Sequence, residues 1–241
     1  MKRFYKEVSV AQRPQGWQVE LDGRAIKTVG GQPQIVPAAP LAEALAAEWA
    51  GQGEEIDPRG FLFRDMTDYA LDVVARDPAA IRRELLPYAE TDTLCYRADP
   101  DEPLWQRQQA VWEPVLQAAE ARHGVRFQRV SGIIHRPQPA ATLAALEAAL
   151  AGADVFRLAA LKNMASLAAS LVIALEALAP GADAAALWQA ACLEEEWQAE
   201  LWGRDGEAEE RRARRAEGFA TARRFALLAA GGQNAAPSET D

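Results

Sequence analysis

Two periods of hydrophobicity divide this chain, and together they fix the kind of fold open to it. Near the start Trp17, Val19 and Leu21 alternate with Gln18, Glu20 and Asp22, the two-residue period of a half-buried strand. From Asp65 onward apolar residues recur at the spacing of helices instead. Asp22-Gly23 is a hairpin signal leading into Arg24 to Thr28, Phe4, Tyr5, Val8 and Val10 supply a preceding strand, and Gly30-Gly31 turns toward a short strand at Ile35-Val36. Pro37 and Pro40 then punctuate the change to a helix over Leu41 to Gln52, with Leu41, Ala44, Leu45 and Trp49 on its apolar face. The expectation is an α+β chain, with a small N-terminal antiparallel β-rich lobe carrying one helix (residues 1–62) followed by a larger all-helical domain (63–230).

The helical part reads as Asp65 to Arg76, Pro78 to Thr91, Pro103 to His123, Pro139 to Leu150, Asp154 to Ala179, Asp183 to Gly203 and Glu207 to Ala230. Prolines or Asp caps open several of these, and Gly124, Gly152, Gly181 and Gly203 mark stops. Met164 to Leu175, the most apolar run, is shorter than the roughly 20 residues a bilayer crossing needs, so it predicts a buried helix. Arg126 to Ile134 is the exception, a strand or extended connector returning to the first lobe. Residues 231–241 are Gly/Pro/Ser-containing and polar, the composition of a disordered tail.

With 241 residues, 49% of them hydrophobic, the chain can bury a sizeable core. Its net charge of −9 repels phosphate backbones and anionic lipid, which argues against nucleic acid or membrane insertion. Cys95 and Cys192 stand far apart without a C-x-x-C, and the first residues move directly into strand-like sequence with no hydrophobic signal core or transit segment. A reducing, cytoplasmic compartment is expected.

Catalytic chemistry finds no obvious home. No phosphate-binding glycine loop occurs, and Lys27-Thr28 follows Ile26 rather than glycine. His123 and His135, the two histidines, lack the spacing of a zinc site. None of the serines sits in a G-x-S-x-G turn, and Ser166 and Ser170 read as small packing residues. Asp65, Asp68 and Asp72 share one helical face and could hold magnesium, although the plainer reading makes Asp65 a helix cap and leaves the other two in solvent. No cofactor or metal is expected. Arg211, Arg212, Arg214 and Arg215, with Arg223-Arg224, suggest a basic patch, but the i,i+4 pairs Glu207–Arg211 and Glu210–Arg214 favour a salt-laced exposed helix.

Asp183 to Gly203 stands apart. As one helix it places Trp188, Cys192, Ala199 and Trp202 on one apolar stripe and Ala186, Ala190, Leu193, Trp197 and Leu201 on a second, with Gln189, Glu196 and Glu200 on a solvated face. Glu195 then emerges between two tryptophans. A carboxylate in an apolar surface takes several kcal/mol to desolvate unless paired, so it is neutral, partnered inside the fold, or awaiting another molecule.

In order and spacing, a further set of short motifs resembles a known family. These are Arg3-Phe4-Tyr5-Lys6, Leu21-Asp22-Gly23-Arg24 with Lys27-Thr28, Leu41-Ala42 through Glu48-Trp49 with Gln52, Tyr88, Thr91-Asp92, and Leu94-Cys95-Tyr96-Arg97. Gln108, Trp112 before Pro114, Ser170-Leu171, Glu195, Trp197-Gln198 and Trp202-Gly203 complete the set. The chain thus resembles the ATP-twelve type assembly chaperones of F-type ATP synthase. The resemblance implies a protein that is not an enzyme, needs no ATP and binds the unassembled alpha subunit of the catalytic head; a monomer is expected when it is free. It points to a functional acid at Glu195, or at Glu194 within the run of three glutamates; around it Trp188 and Trp202, as aromatic anchors, and Gln198 are the further candidates for client binding. The alternatives from other classes are a carboxylate-dependent metalloenzyme using Asp65, Asp68 and Asp72, and a helical binding module for another client.

Overall fold

The structure, a computed structural model, describes residues 1–132 and 134–232. Ile133 and all but the first two residues of the expected tail therefore lie outside the described residues. The expected α+β class is what the chain adopts, with an antiparallel sheet near the N-terminus and a larger helical part after it; that part is not entirely helical, because it also holds one short parallel strand pair. It groups into two compact units.

The first unit contains residues 1–77, joined by Val155–Ala160 and the described residues from Arg224 on. Thus the segment 63–77, which the periodicity assigns to the helical domain, belongs with the sheet. Strand β1 (Val8–Arg13) pairs antiparallel with β2 (Gly16–Leu21) from Val8↔Leu21 to Arg13↔Gly16. Phe4 and Tyr5 lie ahead of β1 rather than within it. At Asp22-Gly23 both residues have positive φ, 50° and 73°, the backbone of a tight hairpin turn, and the Asp22 carboxylate pins it by accepting from the Lys6 and Glu7 amides. Beyond it β3 (Arg24–Ala25) pairs with β2, and β4 (Ile35–Val36) pairs with the opposite end of β2.

Helix α1 (Ala39–Ala50) packs on β1 and β2 through buried Leu41, Ala42 and Leu45. Helix α2 (Leu62–Asp72) follows, and a 3-10 turn at Val74–Arg76 replaces the end of the expected helix. Its N-terminus is not capped by Asp65, which is exposed and held by Arg64. Glu48, reaching across from α1, accepts from the amides of Phe63 at 2.6 Å and Arg64 at 2.9 Å. Nor do Asp68 and Asp72 simply face solvent. Asp68 is buried and accepts from Gln34 Nε2 at 2.5 Å and the Val29 amide, while Asp72 accepts from Thr28 Oγ1 and the Gly30 amide, both at 2.8 Å. The two carboxylates clamp the turn at 28–31. A Cβ on Gly30 would come within 2.5 Å of the Asp72 carboxylate, which explains a glycine there.

The second unit holds residues 78–154 and 161–223. Helices α3 (Pro78–Leu85) and α4 (Pro87–Glu90) replace the single helix expected to Thr91, because Pro87 supplies no amide to continue α3. Strand β5 (Tyr96–Arg97) precedes α5 (Pro103–His123), which starts on Pro103 and stops on Gly124 at φ 65°, as its sequence predicts. The described residues of the expected 126–134 connector group with the second unit rather than returning to the first lobe. Within it, β6 (Val130–Ser131) pairs parallel with β5 in this same unit. Next come α6 (Ala140–Ala151), α7 (Val155–Ala168), α8 (Leu171–Ala177), α9 (Ala184–Ala191), α10 (Leu193–Trp202) and α11 (Gly206–Ala229).

Two expected long helices are broken. Between α7 and α8 the chain turns at Ala169, whose φ is +49°, and Ser170 caps α8 by accepting from the Ile173 amide. Ser170 is therefore a buried cap, not packing filler, and Ser166 is exposed. An alanine in left-handed backbone costs about 1 kcal/mol that glycine does not. Ala169→Gly should accordingly raise the unfolding free energy by about 0.5–1 kcal/mol in a urea titration, and a loss of stability would show that the turn is not strained. The second break, at Cys192, separates α9 from α10.

Candidate functional site

Because Cys192 ends α9 and its carbonyl receives the Glu196 amide in α10, Trp188 and Trp202 do not share a helix, and the continuous stripe drawn from the sequence does not exist. No glycine or proline marks the change, so periodicity carries straight through it. Burial pushes the Cys192 thiol up to about 11, with Glu195 adding to the shift, so the group stays protonated and unreactive.

Glu194, Glu195 and Glu196 occupy the first turn of α10, where the helix dipole favours acids. Glu195 accepts from Arg215 Nη1 at 2.7 Å, with Arg212 Nε 3.8 Å from its other oxygen. Its side chain keeps 47% of its surface open, so the pairing leaves one face of the carboxylate accessible. Arg215 also donates to the Leu167 carbonyl at 2.9 Å and lies over the Trp188 ring at 5.5 Å. Glu196 is not the solvated residue that the periodicity suggests. It bridges Arg204 and Arg212, both of which also meet Glu209.

Of the five residues named from the sequence, Glu195, Gln198 and Trp202 come together along one cleft of about 460 Å³, walled on its other side by Arg211, Arg212 and Arg215 of α11. Trp202 is 76% exposed, an unusual setting for an indole, and Leu201 beside it is also exposed. Glu194 turns away. It accepts from Gln108 Nε2 of α5 at 2.7 Å, and burial raises its pKa. Trp188 packs on Phe219 at 5.3 Å beneath Arg215, so it braces the arginine rather than reaching the cleft surface.

Arg212 and Arg215, read from the sequence as part of a salt-laced exposed helix, are the residues whose place at this site sequence reasoning missed. The i,i+4 pairs Glu207–Arg211 and Glu210–Arg214 do form, at 3.7 and 3.5 Å, but Arg215 pairs across to α10, and Arg212 does so as well as meeting Glu209. Their i,i+3 spacing opposite a run of three glutamates was the available signal. Among the described residues no group of three His, Cys, Asp or Glu side chains is arranged to hold a metal. Asp68 and Asp72, the carboxylates of the metalloenzyme alternative, are engaged with the 28–31 turn. No helix among the described residues is long and apolar enough to cross a membrane.

Comparison with known proteins places the chain as a whole. Residues 2–120 match the family model of the ATP12 chaperone protein. The structure of Atp12 from Paracoccus denitrificans is 35% identical, covers 95% of this chain and 98% of its own, and superposes with a TM-score of 0.90. A point mutant of Paracoccus denitrificans Atp12p gives the same identity and TM-score over 97% of its length. The Atu1473 protein of Agrobacterium tumefaciens is 37% identical with a TM-score of 0.88, over 94% of this chain and 85% of that one. The class defined by this α+β fold and these likenesses is therefore that of a chaperone. The chain belongs to the ATP12 chaperone protein family.

Proposed function

We propose that this chaperone assists assembly of F-type ATP synthase, in the bacterial cytoplasm, by binding the unassembled alpha subunit of the catalytic head and releasing it to the beta subunit. The observation that carries the reading is likeness to Atp12 over 95% of the chain at 35% identity. An alpha subunit without its neighbours exposes a partly apolar assembly surface that aggregates unless covered. The cleft offers suitable chemistry. Trp202 supplies a large apolar face, and Glu195 and Gln198 supply polar specificity next to it. The Glu195–Arg215 pair keeps the free chaperone soluble and monomeric while leaving the carboxylate reachable.

Release by competition needs no nucleotide hydrolysis, and the chain has no catalytic part to play in this scheme. Immobilised chaperone should retain alpha subunit from a lysate depleted of ATP, and at micromolar concentration it should suppress alpha aggregation measured by light scattering. Failure to retain alpha, together with unchanged scattering, would overturn the proposal.

A further inference from the structure

Three of the motifs that carry the family resemblance remain unexplained by the α10 cleft, and the first unit brings them together. Arg3 to Lys6, Leu21 to Thr28 and Glu48-Trp49 surround one cleft of about 540 Å³, lined by Phe4, Tyr5, Leu21, Arg24, Lys27 and Trp49. Its floor is rigid. Tyr5 donates its hydroxyl to the Trp49 carbonyl at 2.6 Å and meets the Trp49 ring edge-on at 5.5 Å, while Arg3 reaches over Tyr5 to the Gln52 carbonyl. Phe4 stands on this floor with 64% of its surface exposed.

One wall of the cleft is an open strand edge. Ile26 donates to Val19 and accepts from Gln34, and Thr28 donates to Gln32, so these residues turn their backbone groups toward the rest of the sheet. Ala25 opposes Glu20 and Lys27 opposes Pro33 at the intervening, non-bonded positions. Their amides and carbonyls consequently point outward, at the two-residue spacing that an added strand would match. The side chains of Arg24, Ala25 and Lys27 are exposed. The charge around them is also distinctive. Of the charged residues that line the cleft, Arg24 and Lys27 are cations and Asp22 is an acid whose carboxylate is taken up by the Lys6 and Glu7 amides, in a chain whose net charge is −9.

Charged side chains on a short edge can serve simply to discourage aggregation. That purpose does not account for an exposed phenylalanine and an aromatic floor beside the edge. We infer that the Ala25–Lys27 edge is a second client-binding surface, which takes an extended acidic segment of a protein partner as an added strand and seats one of its apolar side chains against Phe4. For the identity of the natural segment, this rests on the alpha-subunit reading; the edge itself can be tested separately.

The test uses the full chain and a fluorescent hexapeptide alternating glutamate with valine and phenylalanine, compared by anisotropy with its lysine counterpart. The acidic peptide should bind at least about tenfold more tightly than the basic one. Ala25→Pro deletes an outward amide without removing a bond to β2 and should weaken acidic-peptide binding by roughly fivefold or more, and retention of alpha subunit with it. Should that variant fail to fold, the Arg24→Glu/Lys27→Glu double variant alters only exposed side chains and should reverse the peptide preference. Equal binding of the two peptides, no binding of either, or an unchanged preference in the double variant overturns the inference. Peptide discrimination without retention of alpha by the unmodified chain would support the edge and reject alpha as the client.

Discussion

Asp92→Ala should be the most destabilising single substitution in the second unit, lowering the unfolding free energy by about 3–5 kcal/mol in a urea titration at neutral pH. Asp92 is fully buried and accepts from Ser170 Oγ at 2.9 Å, the Val172 amide at 3.0 Å and the Leu94 amide at 3.1 Å. It thereby fastens the loop after α4 to the break between α7 and α8, where Thr93 also bonds the Ala169 carbonyl. Removal leaves these donors without an acceptor in a dry interior, and unsatisfied groups of this kind cost roughly 1–3 kcal/mol each. Asp92→Asn, which keeps one acceptor oxygen, should lose about half as much.

The pH dependence supplies a second readout. Burial raises the Asp92 pKa to about 6, against the pull of its hydrogen bonds with Val172, Ser170 and Leu94. A carboxyl raised in the folded state contributes stability that is complete below its ordinary value near 4 and is lost as pH rises through about 6, to a limit of roughly 3 kcal/mol. The stability difference between the natural chain and Asp92→Asn should therefore shrink from pH 4 to pH 7. Parallel profiles would show that Asp92 does not titrate there. The Glu113 and Glu120 carboxylates act in the opposite sense. Burial opposes their ionisation, but Arg129 bridges them and, with Arg97 at Glu113, holds both below the usual range, so their contribution is present above about pH 4.5 and fails in acid.

The same interactions explain what could be read from sequence. Helix α5 was legible from end to end because its signals are local: Pro103 opens it and Gly124 closes it. The hairpin at Asp22-Gly23 was legible for the same reason. The break at Ser170 was not, because the group that makes it worthwhile is a carboxylate 78 residues upstream. Asp68 and Asp72 looked solvated by helical phase alone, whereas the sheet turn at 28–31 arrives from another part of the chain to use them. At the candidate site, Glu195 and Trp202 could be named from helical phase and family likeness. Cys192 hid the change of helix that divides Trp188 from them, and the two arginines that complete the site sit on a helix whose other charges pair locally.

On the proposed alpha-subunit reading, Glu195→Lys should leave the chaperone folded and remove its hold on that client. The Glu195–Arg215 pair is exposed enough that its own worth is about 0.2–1 kcal/mol, and Arg215 retains the Leu167 carbonyl and the Trp188 face when the pair is lost. Repulsion from Arg212 and Arg215 adds a comparable amount, so the melting temperature should fall by only about 2–6 °C. At the cleft the change is larger in effect: three arginines of α11 would face a fourth cation, and the acid beside Trp202 would be gone. Affinity for the unassembled alpha subunit should fall by at least about thirtyfold, a loss of roughly 2 kcal/mol typical of an interface hot spot. Glu194→Gln is the discriminating partner, because that side chain faces Gln108 and its amide can preserve the contact; its alpha binding should stay within about threefold of normal. Were Glu194→Gln to abolish binding while Glu195→Lys did not, the functional acid would be the one turned toward α5, and the cleft at Trp202 would lose its assignment.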